Sequence, residues 1–174
     1  MGKAGSARSD RTRGAIGSAA EELFLAHGFA GTSMDEVATR AVVSKQTVYA
    51  HFGSKEALFL HVVREMTGGA TESHRQQVAD PGGEPIETFL LEFAARQLAI
   101  VMTPRLMRLR RLVIGEAERF PELARALHEQ GPQRSIERLS TALADYREAG
   151  RLDCASPHSA AAFFNWLVMG EPVN

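Results

Sequence analysis

The sequence predicts an all-α protein, on three observations. The chain holds 26 alanines, 16 leucines and 17 arginines, all strong helix formers. Against them stand 5 isoleucines, 2 tyrosines and 1 tryptophan, so the strand-favouring types are few. No segment alternates apolar and polar residues for long enough to make a half-buried strand, whereas apolar stripes at helical spacing recur from Arg11 onward.

Residues 1–10 are low in complexity and are expected to form a flexible arm. Ile16, Ala19, Ala20, Leu23 and Phe24 then mark one face of a first helix, and Gly28 stops it. Thr32 and Ser33 offer an N-cap, and Ser33-Met34-Asp35-Glu36 reads as a capping box. That helix is short, with Met34, Val37, Ala38 and Ala41 on its inner face. Ala41-Val42-Val43 makes a tight turn. Ser44-Lys45-Gln46-Thr47-Val48-Tyr49-Ala50 forms the next helix, with Val48 pointing inward and His51-Phe52-Gly53 closing it. Ser54 caps a longer helix that buries Leu58, Phe59, Val62, Val63 and Met66. The run Asp80-Pro81-Gly82-Gly83-Glu84-Pro85 breaks the chain. Helices are expected beyond it over residues 86–102, 104–120, 121–130, 132–149 and 157–170. Prolines stand at their starts, and Gly131, Gly150 and Gly170 at their ends. The expected organisation is an arm (1–10), a three-helix unit (11–54), a connecting helix (55–79) and a C-terminal domain (80–174).

The 174 residues carry 20 basic against 21 acidic side chains, which excludes a uniformly basic coat but leaves room for a local basic patch. No uncharged apolar run reaches the length of a membrane span, and the first residues carry no secretory signal, so a cytoplasmic protein is expected. Cys154 stands alone and excludes an internal disulfide. The six histidines show no paired ligand spacing, so neither a metal nor another cofactor is expected.

Two short helices joined by a tight turn and braced by a third have the geometry of a DNA-reading helix-turn-helix. The second helix leaves Ser44, Lys45, Gln46 and Thr47 to face a major groove. Gln46 suits adenine and Lys45 guanine. No carboxylate occurs from Val37 to Lys55, while Arg40, Lys45 and Lys55 give a local charge of +3. Thr32 and Ser33, with the free N–H groups of their helix start, suit a phosphate. Tyr49 and His51 follow the reading face and suit phosphate contacts, although Tyr49 also suits packing against Leu58 or Phe59. Lys55 stands where the helix dipole already attracts anions, which makes sense if a phosphate bridges the two. Arg8, Arg11 and Arg13 extend the basic surface as a possible minor-groove arm, or as a plain solvated tail.

These residues carry a family resemblance. Ala19-Ala20-Glu21-Glu22-Leu23-Phe24, Gly28-Phe29, residues 32–38, residues 43–52 and Ser54-Lys55-Glu56-Ala57-Leu58-Phe59 resemble the TetR family of bacterial transcriptional regulators, of the AcrR-like kind. The similarity runs nearly without gaps over residues 11–63. Glu116-Ala117-Glu118-Arg119-Phe120-Pro121-Glu122-Leu123 resembles a regulatory-domain subgroup of that family. The resemblance implies a homodimer that binds a double-stranded operator through its N-terminal helices. It also implies a C-terminal domain that dimerises and holds a small-molecule effector whose binding releases the operator. The family usually has one more helix beyond residue 170; either the chain is truncated or its dimer uses another surface.

Phe89, Phe93, Met102, Met107, Phe163 and Trp166 are the candidate lining of an effector pocket, with plain core as the alternative. Arg105, Arg108, Arg110 and Arg111 form a second basic cluster, read as a solvated or ion-paired face or as an anionic effector's contact. The rival functions are an activator or ligand-independent regulator on the same fold, and a helical enzyme or partner-binding module. No nucleophile with a placed base, phosphate loop or metal set supports an enzyme.

Overall fold

The computed structural model describes residues 3–75 and 84–170, and within these it is helical without strands. The helices are α1 (Lys3–His27), α2 (Met34–Arg40), α3 (Lys45–Phe52), α4 (Lys55–Arg75), α5 (Ile86–Val101), α6 (Pro104–Glu116), α7 (Pro121–His128), α8 (Arg134–Glu148) and α9 (Pro157–Gly170). Of the expected break at residues 80–85, only Glu84 and Pro85 are described, and they are not helical; residues 80–83, the boundary between 79 and 80, and residues 171–174 lie outside the described residues.

The N-terminal boundaries follow local chemistry. Gly28 takes a φ of 75° and its N–H donates to the Phe24 carbonyl at 2.9 Å, which ends α1. Ser33 and Glu36 form the expected capping box of α2. Ser44 caps α3 by accepting from the Thr47 N–H at 3.1 Å. Ser54 caps α4 by accepting from the Ala57 N–H at 3.1 Å. Gly53, between α3 and α4, has a φ of 74°. One boundary differs: residues 3–10, expected as an arm, are the first turns of α1.

The turn between α2 and α3 has the hydrogen bonds of a Schellman motif. The Val43 N–H donates to the Ala38 carbonyl at 3.0 Å and the Val42 N–H to the Thr39 carbonyl at 3.2 Å. The left-handed position falls on Val42, at a φ of 56°, with its side chain exposed.

Pro104 and Pro121 open α6 and α7, as their missing N–H allows. Pro132 departs from that expectation. It lies inside a π-helical turn, Glu129–Gln133, that joins α7 to α8 without a break, and Gly131 is inside the turn rather than a cap.

The apolar residues form two cores. The first gathers Ile16, Phe24, Phe29, Val37, Val48 and Phe59 from α1–α4 and the α1–α2 loop, but also Leu109 and Val113 of α6 and Leu123 and Ala126 of α7. Its aromatic centre runs across the molecule: Phe24 to Phe59 at 4.8 Å between centroids, Phe59 to Phe29 at 5.2 Å, and Phe29 to Phe120 at 4.8 Å. Arg105 of α6 adds a two-pronged ion pair to Glu21 of α1, at 2.5 and 2.7 Å. The N-terminal unit is therefore welded to α6 and α7. The second core belongs to α5, α8 and α9, with Phe89, Phe93, Leu139, Leu143, Tyr146 and Ala161. At about 1.5–3 kcal/mol for each large apolar side chain buried, these two clusters hold the helices in place. No helix among the described residues is long and apolar enough to cross a membrane.

Candidate nucleic-acid interface and ligand cavity

Helix α3 buries only Val48 and Phe52. Lys45, Gln46, Tyr49 and Ala50 are exposed, and Thr47 and His51 half-buried. A slender helix with one anchored side and one polar side is what entry into a major groove requires. Ser44 and Thr47 are tied to each other, Oγ to Oγ1, at 2.8 Å, which fixes the start of the helix.

Several expected contact residues are already engaged. Lys45 Nζ donates to Asp35 Oδ2 at 2.9 Å, and that hydrogen bond holds the ammonium above its ordinary pKa. Arg40 pairs with Glu22. Two of the three cations counted as a +3 patch are thus balanced by carboxylates from outside the counted segment. Both pairs are exposed, and exposed pairs exchange partners at little cost.

Thr32 does not present itself to a partner. It is 2% exposed, and its hydroxyl donates to the Gly28 carbonyl at 2.9 Å. Ser33 is the N-cap of α2. Its N–H and its hydroxyl both donate to Glu36 Oε2 at 2.8 Å, and its Oγ accepts from the Glu36 N–H at 3.2 Å. The hydroxyl's hydrogen bond, then the backbone one, holds the Glu36 carboxyl below the usual range. The Glu36 carboxylate thus sits at the start of α2, beside the backbone N–H groups expected to meet a phosphate.

Lys55, in the first turn of α4, lies over the Phe29 ring at 4.4 Å. Of the arm residues, Arg13 reaches α3: its guanidinium lies 4.9 Å from the centroid of the Phe52 ring. Arg8 and Arg11 are exposed further up α1, with Arg11 Nε donating to the Ala7 carbonyl at 3.2 Å.

A cavity of about 120 Å³ lies between the two cores. Thr67 of α4, Leu106 and Arg110 of α6 and Leu127 of α7 bound it on one side. Gln97 and Ile100 of α5, Ser135 of α8 and Asn165, Trp166 and Met169 of α9 bound it on the other, and the π turn contributes Gly131 and Pro132. Of the six expected lining residues only Trp166 is there. Phe89 and Phe93 are plain core, and Phe163 is 70% exposed on the outer side of α9. Met102 is exposed and Met107 half-buried, and neither lines the cavity. In the second basic cluster, Arg105 makes the ion pair to Glu21 and Arg110 reaches the cavity.

The polar lining residues Gln97 and Asn165 had a sequence signal. Phe89, Phe93 and Gln97 form one buried stripe on α5, and Ala161, Asn165 and Met169 one on α9. In each, an amide interrupts apolar residues at a spacing of four. Gln97 is 5% and Asn165 1% exposed, and Gln97 Nε2 donates to Asn165 Oδ1 at 2.6 Å.

Comparison with known proteins gives matches at both ends of the chain. Residues 16–62 match the family model of bacterial regulatory proteins of the tetR family, and residues 88–174 that of the C-terminal domain of AefR-like transcriptional repressors. The HTH-type transcriptional activator FasR of Mycolicibacterium smegmatis is 40% identical over 67 residues, which is 38% of this chain and 31% of that protein. The HTH-type transcriptional repressor NicS of Pseudomonas putida is 34% identical over 77 residues, 42% of this chain and 36% of that protein. These matches therefore span about a third of each curated relative. Among solved structures, the flavonoid-responsive regulator FrrA is 36% identical with a TM-score of 0.79, over 94% of this chain and 82% of that one.

Proposed function

Because this chain belongs to the TetR family of transcriptional regulators, we propose that it is a sequence-specific DNA-binding repressor that leaves its operator when a small molecule fills the cavity. The observation that carries the reading is the position of that cavity. One wall belongs to helices that share a core with the recognition unit, and the opposite wall to α5, α8 and α9. A molecule that changes the spacing of the walls moves α4, α6 and α7, and with them α1 and α3. A ligand shifts such an equilibrium by as much as its affinity for the two arrangements differs.

In this reading Gln46 and Lys45 read bases. Tyr49, His51, Lys55 and Arg13 hold phosphates, and Ser44 and Thr47 fix the helix start. Phe163, Trp166 and Leu167 give α9 an exposed apolar face, 70%, 48% and 81% accessible, on which a second copy pairs. The AefR-like and NicS matches favour repression, and the flavonoid-responsive neighbour favours an effector. The likeness to the activator FasR supports a second reading, in which the bound protein recruits transcription instead.

Selecting bound fragments from the source genome tests the proposal. One motif with twofold symmetry is expected. On that motif Gln46→Ala changes base preference, while Lys55→Ala weakens specific and random DNA alike. Equal losses on both DNAs for Gln46→Ala would remove its reading role. Transcription from that operator in vitro separates repressor from activator.

A further inference from the structure

We infer that the cavity selects a ring-sized apolar molecule bearing a hydroxyl group and a second oxygen acceptor, the class that hydroxyaryl ketones represent; this rests on, and deepens, the ligand-release reading above. The body follows from size and lining. An engineered cavity of about 150 Å³ in another protein takes up benzene, and this one measures about 120 Å³, so a single ring sets the size of the body. Its walls include Ile100, Val101, Leu106, Leu127, Trp166 and Met169.

The hydroxyl follows from the amide pair. The contact between Gln97 and Asn165 uses one polar atom of each and leaves Gln97 Oε1 and Asn165 Nδ2 buried without partners. Reversing both amides exchanges the atoms but again leaves one acceptor and one donor. A hydroxyl is the smallest group that donates and accepts at once. A carboxylate or ketone only accepts and leaves the amide oxygen unpaired. An ammonium only donates, and the Arg110 guanidinium repels it. The second acceptor follows from Arg110 and Ser135, which line the cavity and whose Nε and Oγ are buried without a partner. A buried donor left unmade is costly, so an oxygen placed there gains what the empty site loses.

Trp166 is the chain's one tryptophan and lines the cavity, so its fluorescence reports occupancy. Three probes are compared on the intact protein by fluorescence and calorimetry: 4-hydroxyacetophenone, 4-methoxyacetophenone and 4-ethylphenol. Capping the hydroxyl as the methoxy ether, or removing the ketone, is expected to weaken binding about tenfold or more. The double variant Gln97→Leu/Asn165→Leu is expected to fold and to bind the hydroxy and methoxy ketones alike. Arg110→Met is expected to close the gap between ketone and 4-ethylphenol. Equal affinities in the unaltered protein overturn the inference, as does failure of all three probes to bind. A hydroxyl preference that survives in the folded double variant also overturns it. Should that variant not fold, the probe series on the unaltered protein decides alone. Operator release is assayed separately. Hydroxyl selectivity without release overturns the ligand-release reading and spares the cavity's chemistry; release without selectivity does the reverse.

Discussion

Replacing Val42 with glycine is expected to stabilise the protein. Val42 occupies the left-handed position of the turn that ends α2, at a φ of 56°. A Cβ in that region costs about 1–2 kcal/mol, and a β-branched side chain is among the worst placed there. The side chain returns little, because it is 89% exposed. The turn's own hydrogen bonds, Val43 N–H to the Ala38 carbonyl and Val42 N–H to the Thr39 carbonyl, involve only backbone and survive the change. Against the relief stands the greater freedom of an unfolded glycine, about 0.5–1 kcal/mol. The net gain is about 0.5–1 kcal/mol. For a chain of this length that raises the melting temperature by about 1–4 °C. Thermal and urea unfolding of the unaltered protein, Val42→Gly and Val42→Ala measure it. The alanine variant keeps the Cβ and is expected to stay near the unaltered protein. A glycine variant that melts at the same temperature or lower would refute the reasoning, since it would mean that the turn carries no strain.

Three further expectations follow from the same structure. Raising salt from 50 to 200 mM is expected to cost operator affinity about a hundredfold or more, because two copies each release counterions from phosphates; a flat titration would remove the phosphate contacts. Arg105→Met is expected to cost less than about 1 kcal/mol, since the Arg105 side chain is 58% exposed and solvent screens the pair. The swap Glu21→Arg with Arg105→Glu should restore most of that loss in a double-mutant cycle, and no recovery would show that the pair does not couple α1 to α6. Burial, helped by the nearby Arg13 charge, pushes the His61 imidazole below its ordinary value of 6.5. The unfolded chain then takes up the proton first as pH falls, so this stability is present above about pH 6.5 and is lost below it. Urea midpoints from pH 8 to 5 should fall more steeply for the unaltered protein than for His61→Gln, and parallel profiles would count against it.

The helix-turn-helix could be read from the chain because each of its boundaries is a short-range event. Ser33 with Glu36, Ser44 with Thr47, and Gly28 behind Phe24 are at most four residues apart, and hydrogen bonds of that span form whatever the rest of the chain does. The burial of Val48 and of the α4 stripe followed from the same local periodicity.

Local signals failed where competing partners come from afar. Pro132 carries the mark of a helix start, yet α7 and α8 both pack on fixed neighbours, and the chain joins them through a π turn. The +3 count from residues 37–55 omits Glu22 and Asp35, which the fold brings to Arg40 and Lys45 as exposed ion pairs.

The cavity depended still more on tertiary packing. Gln97 and Asn165 are 68 residues apart, and only the meeting of α5 with α9 makes them one polar site. The sequence by itself determined the helices and the exposed polar side of α3, since backbone hydrogen bonding acts over a single turn. Tertiary structure alone decided that α6 and α7 join the N-terminal core and that the cavity opens against them. Which surfaces meet depends on the shape of every helix at once, and no window of neighbouring residues contains that.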